Sequence, residues 1–65
     1  MKNVKIKLLN DFSDRDDHPK KGDILVIEEI LYDEDFYVES VLAISLKDNK
    51  GYQLYPYEYE ELNND

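Results

Sequence analysis

The sequence predicts a single small all-β domain of five strands, and three observations lead there. The apolar residues fall in blocks, several with the alternation of a half-buried strand. The blocks are separated by polar turn-formers. The chain has 65 residues and no cysteine, so no disulfide can staple it, and a closed or nearly closed β-barrel is one efficient way to build a core at this length. High charge, 37% of residues with a net −8, favours disorder. The 42% hydrophobic and 12% aromatic content, gathered in blocks, argues for a fold.

Val4 to Leu9 alternates Val4, Ile6 and Leu8 with Lys5 and Lys7, which reads as a first strand. Lysines there suit an edge strand that must resist pairing with another chain. Asn10 to Asp23 is polar and rich in Asp, Ser, Pro and Gly, so it is a long loop, functional or packed over the core. Phe12 is its one large apolar residue. Ile24 to Ile27 is a continuous apolar run that continues through Ile30, Leu31 and Tyr32, a second strand. Tyr32 to Asp35 forms an acidic turn.

Phe36 to Leu46 is the longest apolar segment. Phe36, Val38, Leu42, Ile44 and Leu46 share one parity; Tyr37, Glu39, Val41, Ala43 and Ser45 share the other. The alternation predicts a strand whose second face is partly covered. Lys47 to Gly51 is a hairpin loop with Gly51 as the left-handed residue. Tyr52 to Tyr55 returns as a strand with Tyr52 and Leu54 on one face. Pro56 cannot donate to a ladder, so a short helical turn follows, then a terminal strand or tail. The last few residues are expected to be loose.

The order of these elements resembles the SH3 family from roughly Ile6 to Leu62. Leu8-Leu9-Asn10-Asp11-Phe12 is similar to that family's Ala-Leu-Tyr-Asp-Tyr/Phe motif. Lys20-Lys21-Gly22-Asp23-Ile24-Leu25-Val26-Ile27 is similar to its Lys-Lys-Gly-Asp-x-Leu-x-Val strand. Phe36-Tyr37 takes the place of its Trp pair, and Gly51-Tyr52 with Pro56-Tyr57-Glu58-Tyr59 resembles its Gly-x-x-Pro-x-x-Tyr ending. The resemblance implies a five-stranded SH3-like barrel, with Phe12, Tyr37, Pro56 and Tyr59 lining a groove and the loop acids Asp14, Asp16 and Asp17 facing a basic ligand residue. The chain departs from the pattern at Asn10, where a groove tyrosine is usual, and at Glu60, where a buried Val is usual. It has no Trp, and Gly51 to Pro56 is two residues longer than usual. A shared fold does not carry a function with it.

Phe12, Tyr37, Tyr55, Tyr57 and Tyr59 form the candidate binding set, because tyrosine gives large contact area at little entropy cost. The same rings can instead patch a small core; that alternative is favoured for Phe12 and Tyr52, and the surface for Tyr57 and Tyr59. Asp14, Asp16 and Asp17 can equally be an ordinary solvated loop. Glu58, Glu60 and Glu61, with Asp33, Glu34 and Asp35, could imitate nucleic-acid phosphates or simply confer solubility.

No chemistry is legible. There is no Cys nucleophile, His18 is the only histidine, and it is expected to be exposed beside Pro19. Asp11 to Gly22 lacks the Gly and Glu positions of an EF-hand, so neither a metal nor a cofactor is expected. An acidic pI near 4.4 argues against direct nucleic-acid binding. The expectation is a non-catalytic module that binds a protein partner, a basic one being the natural complement to this charge; a nucleic-acid mimic and a self-assembling subunit are the alternatives. Met1 to Lys7 lacks the apolar stretch of a leader, so a cytoplasmic location is expected. The abundance of Lys, Asn, Asp, Ile and Tyr beside one Arg suits an AT-rich coding genome of the bacterial or phage kind.

Overall fold

A computed structural model describes residues 4–62. The expectation that the last few residues are loose falls mostly outside that range. Strand β1 (Lys5–Leu8), β2 (Ile24–Tyr32), β3 (Val38–Ser45), β4 (Gly51–Leu54) and β5 (Tyr59–Glu61) form one antiparallel sheet in the order β4-β3-β2-β1-β5. A 3-10 turn, Pro56–Glu58, precedes β5. β4 and β5 are the edges, and the ladder is open between them. No helix among the described residues is long and apolar enough to cross a membrane.

β1 is therefore an inner strand, contrary to the edge reading of its lysines. It pairs with β2 through Ile6↔Leu25 and with β5 through Lys7↔Glu60 and Leu8↔Tyr59. The lysines serve the outer face instead: Lys7 Nζ lies 3.5 Å from Glu60 Oε2. Glu60 thus points outward and is exposed. An exposed pair of this kind is worth ~0–1 kcal/mol.

One face of the sheet holds the core: Ile6, Leu8, Leu25, Ile27, Val41, Ala43, Tyr52 and Leu54. Ile6 near one edge and Leu54 on the other are both fully buried. A flat sheet would leave that face wet, so the sheet curls over its own side chains. A bulge helps the curl: the register with β3 slips between Ile27 and Glu29, leaving Glu28 and Glu29 both exposed before Ile30 turns back against the core. Bulges bend a strand and increase its twist.

The second of the two parities in β3 is the buried one. Pairing sets this: Leu25 lies opposite Ser45 and Ile27 opposite Ala43, so Val41, Ala43 and Ser45 share the face of Ile6 and Leu25. Leu42 and Ile44 are half-buried on the outer face, where Ile44 lies opposite Val26. Phe36 and Leu46 fall outside the strand and are exposed. Small residues suit the concave side, and Ala43 sits opposite the Tyr52 ring. Buried Ser40 accepts a hydrogen bond from Gln53 Nε2 at 3.0 Å, and buried Ser45 accepts one from the Lys47 N–H at 3.2 Å.

Residues 9–23 are an ordered loop packed on this core. Pro19 is fully buried. The Phe12 N–H donates to Pro19 O at 2.9 Å, and Asp11 Oδ1 accepts the Lys21 N–H at 2.8 Å. Gly22, at φ 90°, turns the chain into β2. In the β3–β4 turn the left-handed residue is Asn49, at φ 61°, and not Gly51. Asn tolerates that region, and Gly51 instead pairs opposite Ile44 within the ladder.

Leu25→Ala should remove ~2–5 kcal/mol, comparable with the whole stability expected of so short a chain. Chemical denaturation should show the variant largely unfolded in water. Leu42→Ala, on the outer face, should cost clearly less.

Candidate functional site

The sequence-derived site residues separate into two places. Phe12 is half-buried and makes edge-on contacts with His18 (centroids 5.3 Å) and Tyr52 (5.0 Å). Tyr52 lies in β4, and its hydroxyl donates to Asp48 Oδ2 in the β3–β4 turn at 2.8 Å. Phe12 therefore clamps the loop to the core, the role also foreseen for it as a core patch. His18 is half-buried rather than exposed, because it is the third ring of this cluster. Its Nδ1 and Ser13 Oγ hydrogen bond at 2.6 Å, and Ser13 Oγ also accepts the Arg15 N–H. Ser13 thereby organises the loop tip.

Asp14, Asp16 and Asp17 are exposed on that tip. Asp17 is held by Arg15 through two 3.0 Å hydrogen bonds, which lower its carboxyl pKa. Burial opposes the same shift at Asp48, but hydrogen bonds from Tyr52 and the Lys50 N–H outweigh it, and its carboxyl also stays below the usual range. Among the described residues, no three His, Asp or Glu side chains are grouped as metal ligands.

Tyr37, Pro56 and Tyr57 lie elsewhere. Tyr37 belongs to the β2–β3 hairpin tip, beyond the start of β3, whereas the Phe12 cluster meets β4 near the far end of β3. Tyr52 pairs with Ala43, six residues along the strand from Tyr37, roughly 20 Å. The 3-10 turn packs against β3. Its last residue meets the start of the long loop, where the Leu9 N–H donates to Glu58 O at 3.0 Å. Tyr59 begins β5 opposite Leu8 and is half-buried against the core.

Beside Tyr37, the hairpin end carries Tyr32 and Phe36, which lie outside the candidate binding set. Tyr32 is 58% exposed, Phe36 85%, Tyr37 72% and Tyr57 76%. Tyr57 stacks on Tyr55 with ring centroids 5.9 Å apart and planes 8° from parallel. Asp33 shapes the tip. Its Oδ1 accepts the N–H of Asp35 (2.8 Å) and of Tyr37 (3.0 Å), while its backbone bonds Phe36 and Tyr37. Within this frame Phe36 is held at φ 67°, a region that costs a bulky side chain ~1–2 kcal/mol.

Charge follows the same division. Residues 22–46 carry Asp23, Glu28, Glu29, Asp33, Glu34, Asp35 and Glu39, with no Lys or Arg. Residues 51–62 add Glu58, Glu60 and Glu61 and again no cation. Arg15, Lys20, Lys21, Lys47 and Lys50 all lie in the loop and turn at the Phe12 end. This charge pattern is the signal that could have found the hairpin end in the sequence. No family model, no curated protein and no solved structure matches the chain.

Phe36→Gly should relieve the left-handed strain and raise stability by up to ~1 kcal/mol, measurable by thermal unfolding, whereas Phe36→Val should lower it. A second expectation concerns pH. Burial raises the phenol pKa of Tyr52 and of Tyr59, with carboxylates (Asp48 for Tyr52, Glu61 for Tyr59) adding to it. A raised value means the stability they contribute is present below the ordinary tyrosine range and lost as pH rises through their own values. Ultraviolet titration should show phenols ionising late, and Tyr52→Phe and Tyr59→Phe should each remove part of that late component.

Proposed function

We propose that this chain is a small non-catalytic protein-interaction module of SH3-like architecture whose contact surface is the aromatic, acidic end around the β2–β3 hairpin. The strand order, the long loop between the first two strands and the 3-10 turn before the last strand support the architecture. One observation carries the binding reading. Phe36 is 85% exposed and held at positive φ by a carboxylate-built tip. Backbone strain of this kind persists where the surroundings over-determine it, and it clusters at functional positions. A ring spent this way does nothing for the core of its own chain.

The partner is a protein with a basic surface. Tyr32, Phe36 and Tyr37 supply anchors of the type that dominate interface energetics. The surrounding carboxylates steer a cationic surface toward them. Asp14, Asp16 and Asp17 are peripheral to this reading, because Arg15 already neutralises part of their loop. Imitation of nucleic acid fits the cation-free hairpin less well, since phosphate mimicry needs a run of carboxylates and here large rings interrupt it.

The test compares immobilised wild-type chain with a Phe36→Ser, Tyr37→Ser double variant in capture from a cell extract, the captured protein then being purified and titrated. Binding should be lost in the double variant and retained in Asp16→Asn, with cooperative thermal unfolding in all three. It should also weaken as salt shortens the screening length from ~8 Å at 0.15 M to ~3 Å at 1 M. Equal binding by wild type and the double variant would overturn the reading. Release of the partner by duplex DNA would replace it with the mimic.

A further inference from the structure

We propose that β4 is the docking edge for the β4 of a second copy of this chain. The two strands pair antiparallel about a twofold axis through Tyr52, so that the sheet runs on from one copy into the other. This goes beyond the hairpin reading above and uses none of its residues.

The ladder fixes which backbone groups are free. The Ser45 N–H donates to Lys50 O at 2.9 Å, and bonded and non-bonded pairs alternate along an antiparallel ladder. Tyr52 and Leu54, opposite Ala43 and Val41, therefore turn their backbone groups toward β3. Gly51 and Gln53 turn theirs outward, and both residues are exposed. Among the described residues no hydrogen bond engages these outward groups. The Gln53 side chain is drawn back over the sheet, its Nε2 donating to Ser40 Oγ at 3.0 Å, so it does not screen its own backbone. One residue past β4 the Tyr55 N–H is taken by Glu58 Oε1 at 2.8 Å, which confines the open stretch to Gly51 and Gln53.

The two edges of the sheet are built differently. Natural edge strands are guarded by charge, proline or a bulge. β5 is guarded: Glu60 and Glu61 fill two of its three positions. β4, Gly-Tyr-Gln-Leu, carries no charge in a chain where 37% of residues do. It also begins with a glycine that its own chain does not need. Gly51 lies outside the positive-φ region, and a Cβ there would meet only Ile44 Cδ1, at an ordinary 3.5 Å. Glycine weakens a strand and commonly marks a place where another backbone approaches closely.

A second copy fits this edge because the edge is complementary to itself. The twofold sets Gly51 of each copy opposite Gln53 of the other, and each such pair exchanges both of its backbone hydrogen bonds. The long side chain then always faces the missing one. The same pairing brings the Lys50 end of one strand to the Tyr55 end of the other, where the Glu58 carboxylate is held. Lys50 has no ion pair of its own among the described residues. An isologous contact of this kind closes at two copies.

The test is a dilution series of the full chain, labelled with nitrogen-15, from about 1 mM to about 10 μM, read by sedimentation equilibrium and amide spectra. The mass should rise with concentration from the monomer to twice that value and stop there. The Gly51 and Gln53 amides should shift with concentration and gain protection from solvent exchange, while those of residues 33–37 and 59–61 stay fixed. Gly51→Lys places a guarding charge where the fold has room for a side chain, and it should remain monomeric at the highest concentration. Gln53→Lys repeats the test at the opposing position should the first variant lose its dispersed spectrum. Glu61→Lys, on the other edge, should still dimerise.

A wild-type chain that stays monomeric throughout would overturn the proposal. So would assembly beyond the dimer, concentration-dependent shifts centred on residues 33–37 or 59–61, or a dimer that survives in folded Gly51→Lys or Gln53→Lys.

Discussion

Covering one face of a five-stranded sheet without a disulfide is the constraint from which the rest of this structure follows. Eight side chains from four strands must share one dry interior, and the sheet has only its own curl, one loop and one turn to enclose them. That requirement explains the Glu28 bulge, which lets β2 bend. It also explains the small residues Ala43 and Ser45 at the crowded centre. The loop of residues 9–23 completes the enclosure through Pro19 and through Phe12 and His18 set against Tyr52. The Tyr52–Asp48 hydrogen bond ties that cluster to the β3–β4 turn. The loop that looked most like a ligand contact is thus largely committed to holding the molecule shut.

This commitment leaves the opposite end free to be costly. Like charges accumulate along the β2–β3 hairpin, and Phe36 occupies a backbone region that disfavours it. Neither feature helps the core. Asp33 offsets part of the cost by accepting two backbone N–H groups. The stabilising aromatic cluster and the exposed aromatic end therefore sit at opposite ends of β3, and variants at one need not disturb the other.

Several parts of the fold were legible because the local pattern had a single solution. Leu25 and Ile27 alternate within β2, and Tyr52 with Leu54 in β4 admits one inward parity. Pro56 ends β4 and opens the turn for a reason internal to its ring. β3 had two solutions, because both of its parities are apolar enough to be buried. Only pairing with β2 decides that Val41 and Ala43 go inward. The lysines of β1 were misread for the same kind of reason, since strand position in a sheet depends on the partner, and β5 lies more than fifty residues along the chain from β1.

The candidate site divides similarly. Tyr57 and Tyr59 lie in the same local context, Tyr-Glu-Tyr-Glu, yet one is exposed and the other packs on the core. The pairing of Tyr59 with Leu8 makes the difference. By itself the sequence determined that this is a small all-β chain, where its turns fall, and which stretches lack any cation, because composition, alternation and turn chemistry are local properties. The tertiary structure alone decided which face of β3 is the core, that Phe12 is a clamp, and that Tyr59 packs inward while Tyr57 stays exposed. Each of those outcomes depends on which distant strand lies alongside, and no local pattern encodes that register.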